Sequence, residues 1–406
     1  MLSPEFVCAS RMLSAAETRT AELCRQQVIS SILERDEYIR RNNLDPSIWK
    51  PAANWDPLWH SAANWDPSQS SGQNETLRQH GFANTRRLLD GHDTHDLRRL
   101  RRFTGRSMPG QNDRPDVFAL AQYRNFKHHL PDYLRISPPA LFGESGWLID
   151  GIIVNYDAMA YWERVAALFQ VGLLDRDSPH CLKPGARILE IGGGYGGLAY
   201  FLRQAIGEIE YTIVDLPESL IYSSIYLSVF FETGFHFLPN YRFREITGDQ
   251  FDLVINTLSM SEMSEPQVRA YCTHLTNAAP VFFEQNHDCR HIGLLNAQAI
   301  VADYFQYRLP ILNRDGFPGL IQGAAHIWSS NPVPEAMRRV LPGLLTPPSI
   351  SELFPLGGYR VFAYFGMICV VPRSVEFGPR DDLTRLPGAL CFETLEEAQG
   401  ELSCQT

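Results

Sequence analysis

Arg187-Ile188-Leu189-Glu190-Ile191-Gly192-Gly193-Gly194-Tyr195-Gly196-Gly197 is the stretch that decides the fold. Its first five residues read as a buried strand. The strand runs into a glycine-packed turn, with the carboxylate of Glu190 standing just before the first glycine. Downstream, Tyr211-Thr212-Ile213-Val214-Asp215 is a second apolar run that also ends in an acid. Strand, glycine turn, helix and a second strand closed by a carboxylate make one half of a nucleotide-binding α/β unit.

Two fingerprints overlap in the turn. Gly192, Gly194 and Gly197 satisfy the dinucleotide pattern G-x-G-x-x-G, while Glu190, Gly192, Gly194 and Gly196 satisfy E-x-G-x-G-x-G, the pattern of S-adenosylmethionine (SAM) enzymes. Charge separates them. A dinucleotide sets its pyrophosphate on the helix N-terminus, where amides and the helix dipole favour an anion. A carboxylate at Glu190 would repel that anion. SAM has no phosphate and carries a sulfonium and an ammonium, which the same carboxylate attracts. Asp215 follows the glycines by about 20 residues, the spacing at which an acid accepts from ribose hydroxyls. The reading favours SAM over a nicotinamide or flavin, and over a glycine turn with no ligand.

The 406 residues exceed one typical domain and can bury a large core. An apolar content of 44% and a charged content of 20% are those of a soluble globular protein. The net charge of -10 argues against a general nucleic-acid binder. Eight scattered cysteines without a C-x-x-C pair fit free thiols better than a disulfide frame or a zinc site. The longest apolar run, Val361 to Val371, is too short for a bilayer, and the N-terminus lacks the layout of a signal peptide. The expectation is a cytoplasmic protein with no membrane or nucleic-acid partner.

Three regions are expected: a helical and irregular arm over 1–149, an α/β domain over 150–372 and a polar tail over 373–406. Ser14 and Glu17 make a capping box before a helix reaching about Arg41, with Leu23, Val28, Ile32 and Leu33 as its apolar face. Two copies of Ala-Ala-Asn-Trp-Asp-Pro, at 52–57 and 62–67, are too few for a repeat architecture and read as a Trp-anchored loop. Arg98, Arg99, Arg101, Arg102 and Arg106 read as a solvated face, with a phosphate contact as the sharper alternative, and the His92–Asp96 group lacks the ligands for a metal. Gly143 to Trp147 reads as a turn. Asn155 caps a helix carrying Met159, Trp162, Val165, Ala166 and Phe169, which ends near Gly172. The core then alternates: strand 187–191, helix 196–206, strand 210–215, helix 218–232, and strands at 235–238, 251–256 and 281–284. Such alternation implies a parallel sheet covered on both faces. The run Tyr359 to Pro372 suits a final strand or hairpin.

Ligands of an open parallel sheet bind beyond the carboxyl ends of its strands. That rule selects Glu190, Asp215, Asn256 and Glu284, with Ser259 and Glu262 on the loop after Asn256. The block from Leu253 to Met263, with the glycine turn and Asp215-Leu216-Pro217, resembles the sugar O-methyltransferase family of bacterial natural-product and glycan pathways. Gly143-Glu144-Ser145-Gly146, Asn155-Tyr156-Asp157 and Glu284-Gln285-Asn286 are similar to further blocks of it. The resemblance covers about 140–290.

It implies a Rossmann-like class I methyltransferase core, a seven-stranded, mostly parallel sheet whose last strand is antiparallel, with SAM as cofactor and a helical arm forming part of the acceptor pocket. Glu190 would lie near the methionine end of SAM, with Gly192, Gly194 and Gly196 beneath it. Asp215 would hold the ribose, Leu216 would lie against the adenosine, and Asn256 would complete the cofactor site. Tyr156 and Ser259 are candidate substrate contacts. A sugar hydroxyl is a poor nucleophile and gains from a general base, for which Glu262, His287 and Asp288 are candidates, the first two favoured. A divalent metal at Glu284 and Asp288 is conceivable, though no spacing demands it. The expected acceptor is a sugar-type small molecule. A peptide, polyketide or phenolic acceptor and a non-catalytic scaffold stay open as rivals, and a homodimer is one expected assembly.

Overall fold

The computed structural model describes residues 5–9, 13–49, 123–312 apart from 125, 143, 249, 287, 289 and 291–293, then 325–334, 337, 351–377 apart from 357, 365 and 366, and finally 383, 386–392 and 398–399. The Trp-Asp-Pro duplication, the His92–Asp96 group, the arginine cluster and His287 lie outside these residues.

The chain opens with strand β1 (Glu5–Ala9) and helix α1 (Ala15–Arg41). The capping box closes as the sequence predicts: the Ser14 hydroxyl accepts from the Glu17 N–H at 3.2 Å, and Glu17 accepts from the Ser14 N–H at 2.7 Å. Of the expected face of α1, Val28 is buried, Leu23 is 61% exposed, and the side chains of Ile32 and Leu33 lie outside the described atoms; Ala21, Arg35 and Ile39 are buried beside Val28. A short helix, α2 (Pro46–Trp49), follows and buries Trp49. Strands β2 (Glu144–Ile149) and β3 (Ile152–Val154) pair antiparallel, and β2 also pairs with β1. Residues 144–147 are therefore strand rather than turn. Their Gly/Ser content mimics a turn signal, but Gly146 is small because a Cβ there would sit 2.5 Å from the Val154 carbonyl oxygen of the paired strand.

Helix α3 (Tyr156–Gln170) is capped by Asn155, whose side chain accepts from the Ala158 N–H at 2.8 Å. Then come β4 (Ala186–Ile191), α4 (Gly197–Ile206), β5 (Ile209–Asp215), α5 (Pro217–Phe230), β6 (Phe235–Pro239), β7 (Leu253–Thr257), α6 (Glu265–Leu275) and β8 (Phe282–Gln285). Two further strands, β9 (Tyr307–Leu312) and β10 (Ala325–Ser329), complete a seven-stranded sheet in the order β6-β5-β4-β7-β8-β10-β9. β4 through β8 pair in parallel, and β10 lies antiparallel to both β8 and β9. This is the Rossmann-like class I methyltransferase arrangement, with the last strand inserted antiparallel between the fifth and sixth.

Ile188, Ile213, Ile255, Phe283 and Ile327 pack one face of the sheet against α3, α4 and α5. Leu189, Val214, Val254, Phe282 and Trp328 pack the other against α6 and Trp49. Strands buried on both faces are what continuous apolar runs produce. The run 359–372 is the hairpin β12 (Tyr359–Tyr364) and β13 (Met367–Pro372). It belongs to a separate antiparallel sheet, with β11 (Ser351–Leu356) on one side and β14 (Leu390–Phe392) on the other. Among the described residues, no helix is long and apolar enough to cross a membrane.

α1 packs mainly on α5 and is joined to it by a buried ion pair, Arg35 Nη1 to Glu218 Oε1 at 2.8 Å, with side chains 4% and 1% exposed. A buried pair broken on one side leaves an uncompensated charge. Arg35→Met is expected to cost about 3–5 kcal/mol in urea unfolding, and adding Glu218→Leu to recover most of that loss. Equal stability of the single variant and the wild type would show that the pair does not hold the arm.

Candidate active site

The order of the sheet changes direction at β4, whose neighbours β5 and β7 follow and lie on opposite sides of it. A crevice at the carboxyl ends of β4 and β7 is the consequence. Glu190 reaches that end on the α3 face, and Asp215 closes β5 beside it.

The glycine turn is shaped by contacts from both sides. Gly192 has φ +73° and its N–H extends the ladder to the Val214 carbonyl at 2.7 Å; a Cβ there would collide with the Ser259 side chain. At Gly193 a Cβ would come within 2.9 Å of the Glu190 carboxylate. Gly194, at φ +56°, faces open space, and its N–H donates to Asp215 Oδ2 at 3.2 Å. Gly196, at φ +89°, starts α4.

Glu190 is 1% exposed. Burial pushes its carboxyl up to about 7; the Tyr211 hydroxyl, donating at 3.0 Å, and the charge of Arg164 pull down against that, while Asp215 adds to the rise. Asp215, partly open to the crevice, is also pushed up to about 7, chiefly by lost hydration. The N–H groups of Leu216 and Gly194 and the Ser219 side chain oppose that shift, and Glu218 adds to it. Neither acid has an ion-pair partner among the described residues.

The opposite face holds the turn in place. Asn256 is fully buried and its amide nitrogen donates to the Ile191 carbonyl at 2.8 Å and to Ser259 Oγ at 2.6 Å. Its oxygen accepts from Asn286 at 2.7 Å, and Asn286 also donates to Glu284 at 2.6 Å. The Ser259 hydroxyl donates to the Ile191 carbonyl at 3.1 Å. Leu258, at φ +65°, carries the chain into this loop in a conformation uncommon for a bulky residue. Asn256 and Ser259 thus spend these groups on the backbone just before Gly192 rather than aiming them into the crevice. Glu284 is buried under the Trp328 indole N–H at 3.3 Å.

The remaining candidates are spread around this centre. Leu216 is the N-cap of α5, and its N–H donates to Asp215 Oδ1 at 2.7 Å. Glu262 ends a 3₁₀ turn, Met260–Glu262, half-buried beyond β7. Tyr156 opens α3 by its backbone; its side chain lies outside the described atoms. Asp288 is clasped by Arg290 through contacts of 2.6 and 2.9 Å. No group of three or more His, Cys, Asp or Glu residues that could hold a metal occurs among the described residues.

Three residues that sequence reasoning passed over complete the crevice wall. α3 brings Tyr161 and Arg164 against the turn: a Cβ at Gly197 would collide with the Tyr161 hydroxyl, and Arg164 acts on Glu190 by its charge. Tyr195, within the turn, stacks edge-on to Tyr161 at 6.3 Å. The available signal was Glu163-Arg164, two adjacent charges inside the apolar run from Ala158 to Phe169.

No protein-family model matches the chain, and no curated protein does. Solved structures are similar to part of the chain at low identity. The PH0226 protein of Pyrococcus horikoshii is 14% identical over 41% of this chain and 89% of its own, with a TM-score of 0.31. Phosphoethanolamine N-methyltransferase 2 of Haemonchus contortus, solved with S-adenosylhomocysteine, is 17% identical over 36% of this chain and 39% of its own, at 0.28. The [4+2]-cyclase SpnF is 16% identical over 37% and 61%, also at 0.28.

A carboxyl raised by folding keeps its proton while the unfolded chain has lost it, so the unliganded protein is expected to lose stability as pH rises from about 4.5 to about 7. Glu190→Gln should flatten that slope by roughly 2–3 kcal/mol between those limits, read from urea midpoints across pH. An unchanged slope in the variant would show that Glu190 is not the strained group.

Proposed function

We propose that the chain is a SAM-dependent O-methyltransferase acting on a hydroxyl of a sugar or glycosylated natural product. One observation carries the reading: two carboxylates flank an open glycine turn at the crevice of the sheet, and neither has an ion-pair partner among the described residues. Such a site repels a pyrophosphate and suits a ligand that is cationic at one end and rich in hydroxyls at the other. The open space at Gly194 fits a ligand backbone passing close to the turn. SAM has this chemistry, and the residues present fit it.

When bound, the cofactor supplies an electrophilic methyl group on a sulfonium. The residues do the rest. Glu190 would hold the cationic methionine end; its carboxylate is the form a cation favours, so a bound cation would draw its proton off. Asp215 would accept from the ribose hydroxyls, and Leu216 would lie beside the adenosine. Asn256 and Ser259 keep the turn in register. Glu262 and His287 are the proposed bases: either would take the proton from the acceptor hydroxyl as its oxygen bonds to the methyl carbon and the carbon–sulfur bond breaks, with S-adenosylhomocysteine as the leaving group. Positioning of that oxygen in line with the methyl contributes much of the rate. The sugar acceptor is supported by the resemblance over about 140–290.

Calorimetry with S-adenosylhomocysteine tests the reading. Wild type is expected to bind, and Asp215→Ala to bind about 10–100-fold more weakly, the worth of hydrogen bonds to a charged acceptor. Wild type without measurable binding, or Asp215→Ala binding as tightly, would sink it.

A further inference from the structure

The N-terminal arm passes from one face of the sheet to the other beside the carboxyl end of β6. Ala21 and Val28 of α1 belong to the core on the α3 face, while Ile39, Leu44 and Trp49 belong to the core on the α6 face. Between them the arm grips both segments that leave the sheet next to Asp215. Arg35 Nη1 holds Glu218 Oε1 at 2.8 Å in the first turn of α5, just after Asp215. Asp215 is in register with Pro239 of β6, and the two residues that follow Pro239 are tied to the arm. Asn240 Nδ2 donates to the Trp49 carbonyl at 3.1 Å, and the Tyr241 hydroxyl donates to the Ser31 carbonyl at 2.6 Å. Trp49 then reaches α6, edge-on to Tyr271 with ring centroids 5.8 Å apart.

This seam is closed but poorly satisfied. Eight buried side-chain nitrogens and oxygens lack a hydrogen-bond partner among the described residues, and half of them lie here: Arg35 Nε, Glu218 Oε2, Asn240 Oδ1 and Trp49 Nε1. Each costs free energy while the seam is shut, and water satisfies each when it opens. The apolar packing of α1 on α5 acts the other way and holds the arm down. An interface balanced like this opens more cheaply than the parallel strands beside it, which are buried on both faces.

We propose that the α1–α2 arm is a cover over the nucleoside end of the cofactor site, which lifts to pass the cofactor and closes beside the ribose at Asp215. This rests on the SAM reading above, and it assigns the arm to the cofactor rather than to the acceptor. The footholds of the arm on the core, Glu218 and Asn240, follow the ends of β5 and β6, so lifting it opens the flank of Asp215. The glycine turn stays in place, because the hydrogen bonds of Asn256 and Ser259 pin it separately.

Hydrogen exchange in the full chain, read by mass spectrometry, tests this with two probes. S-adenosylhomocysteine carries nucleoside and amino acid; 5′-methylthioadenosine keeps the nucleoside and thioether alone. An undocked α1 loses the packing that supports its helix, so its amides report the opening. In the free protein they are expected to exchange at least about tenfold faster than those of β4 and β7. Either probe, at about ten times its dissociation constant, is expected to slow them about tenfold, as a ligand held only by the closed form must. Unchanged exchange in α1 with both probes bound overturns the proposal and leaves the cofactor reading standing. Slowing by S-adenosylhomocysteine alone overturns it too, since the cover would then answer to the amino-acid end. Tyr241→Phe removes the hydroxyl that ties the end of β6 to α1, and is expected to speed α1 exchange and S-adenosylhomocysteine dissociation together, each by about 2–10-fold. Faster exchange with an unchanged dissociation rate would show that the cofactor leaves under a closed arm, against the proposal. Wild type that binds neither probe defeats the SAM reading itself, and the inference with it.

Discussion

Two carboxylates at the ends of neighbouring parallel strands form no ion pair among the described residues, and the site is organised around that constraint. Taking a carboxylate out of water is expensive unless charge or hydrogen bonds compensate. The protein compensates Glu190 with one tyrosine hydroxyl and a guanidinium that stops short of contact. It compensates Asp215 with two backbone N–H groups. Both acids are left reluctant to ionise, a state that a cationic ligand relieves. The free energy stored in this way is available to binding rather than to folding.

Keeping such a site open requires stiffness around it. The face of the sheet away from α3 provides this through Asn256, Ser259, Asn286 and Glu284, whose hydrogen bonds pin the loop after β7 to the last carbonyl of β4. The absent Cβ of Gly192 accommodates Ser259, and that of Gly193 accommodates the Glu190 carboxylate. Glycines here are spaces for neighbouring side chains as much as for a ligand. On the far side, the Arg35–Glu218 pair ties the N-terminal helix to the helix that begins just after Asp215.

Much of this was legible in the sequence because it is local. The strand–glycine–helix unit, the acid closing β5, the Ser14–Glu17 box and the Asn155 cap each depend on residues within a few positions of one another. What escaped depends on distant partners. Residues 144–147 look like a turn until β1, more than a hundred residues earlier, lies alongside them. Leu23 fits a helical stripe, yet the face of α1 is chosen by α5, and it selects Arg35 instead. β9 and β10 complete the sheet by an antiparallel insertion that no periodicity announces. Arg164 is visible as an oddity in an apolar helix, but its relation to Glu190 exists only once α3 packs over β4. Asn256 and Ser259 were selected by their place at a strand end; which face their side chains serve is a matter of packing.

The central claim is that the crevice at Glu190 and Asp215 takes SAM through charge and ribose recognition. A crystal structure of the chain with S-adenosylhomocysteine tests it most directly. The account predicts the ribose hydroxyls on Asp215 and the homocysteine amino group on Glu190, with the ligand backbone crossing Gly194. A ligand seated elsewhere on the molecule, or one whose ribose avoids Asp215, would contradict it.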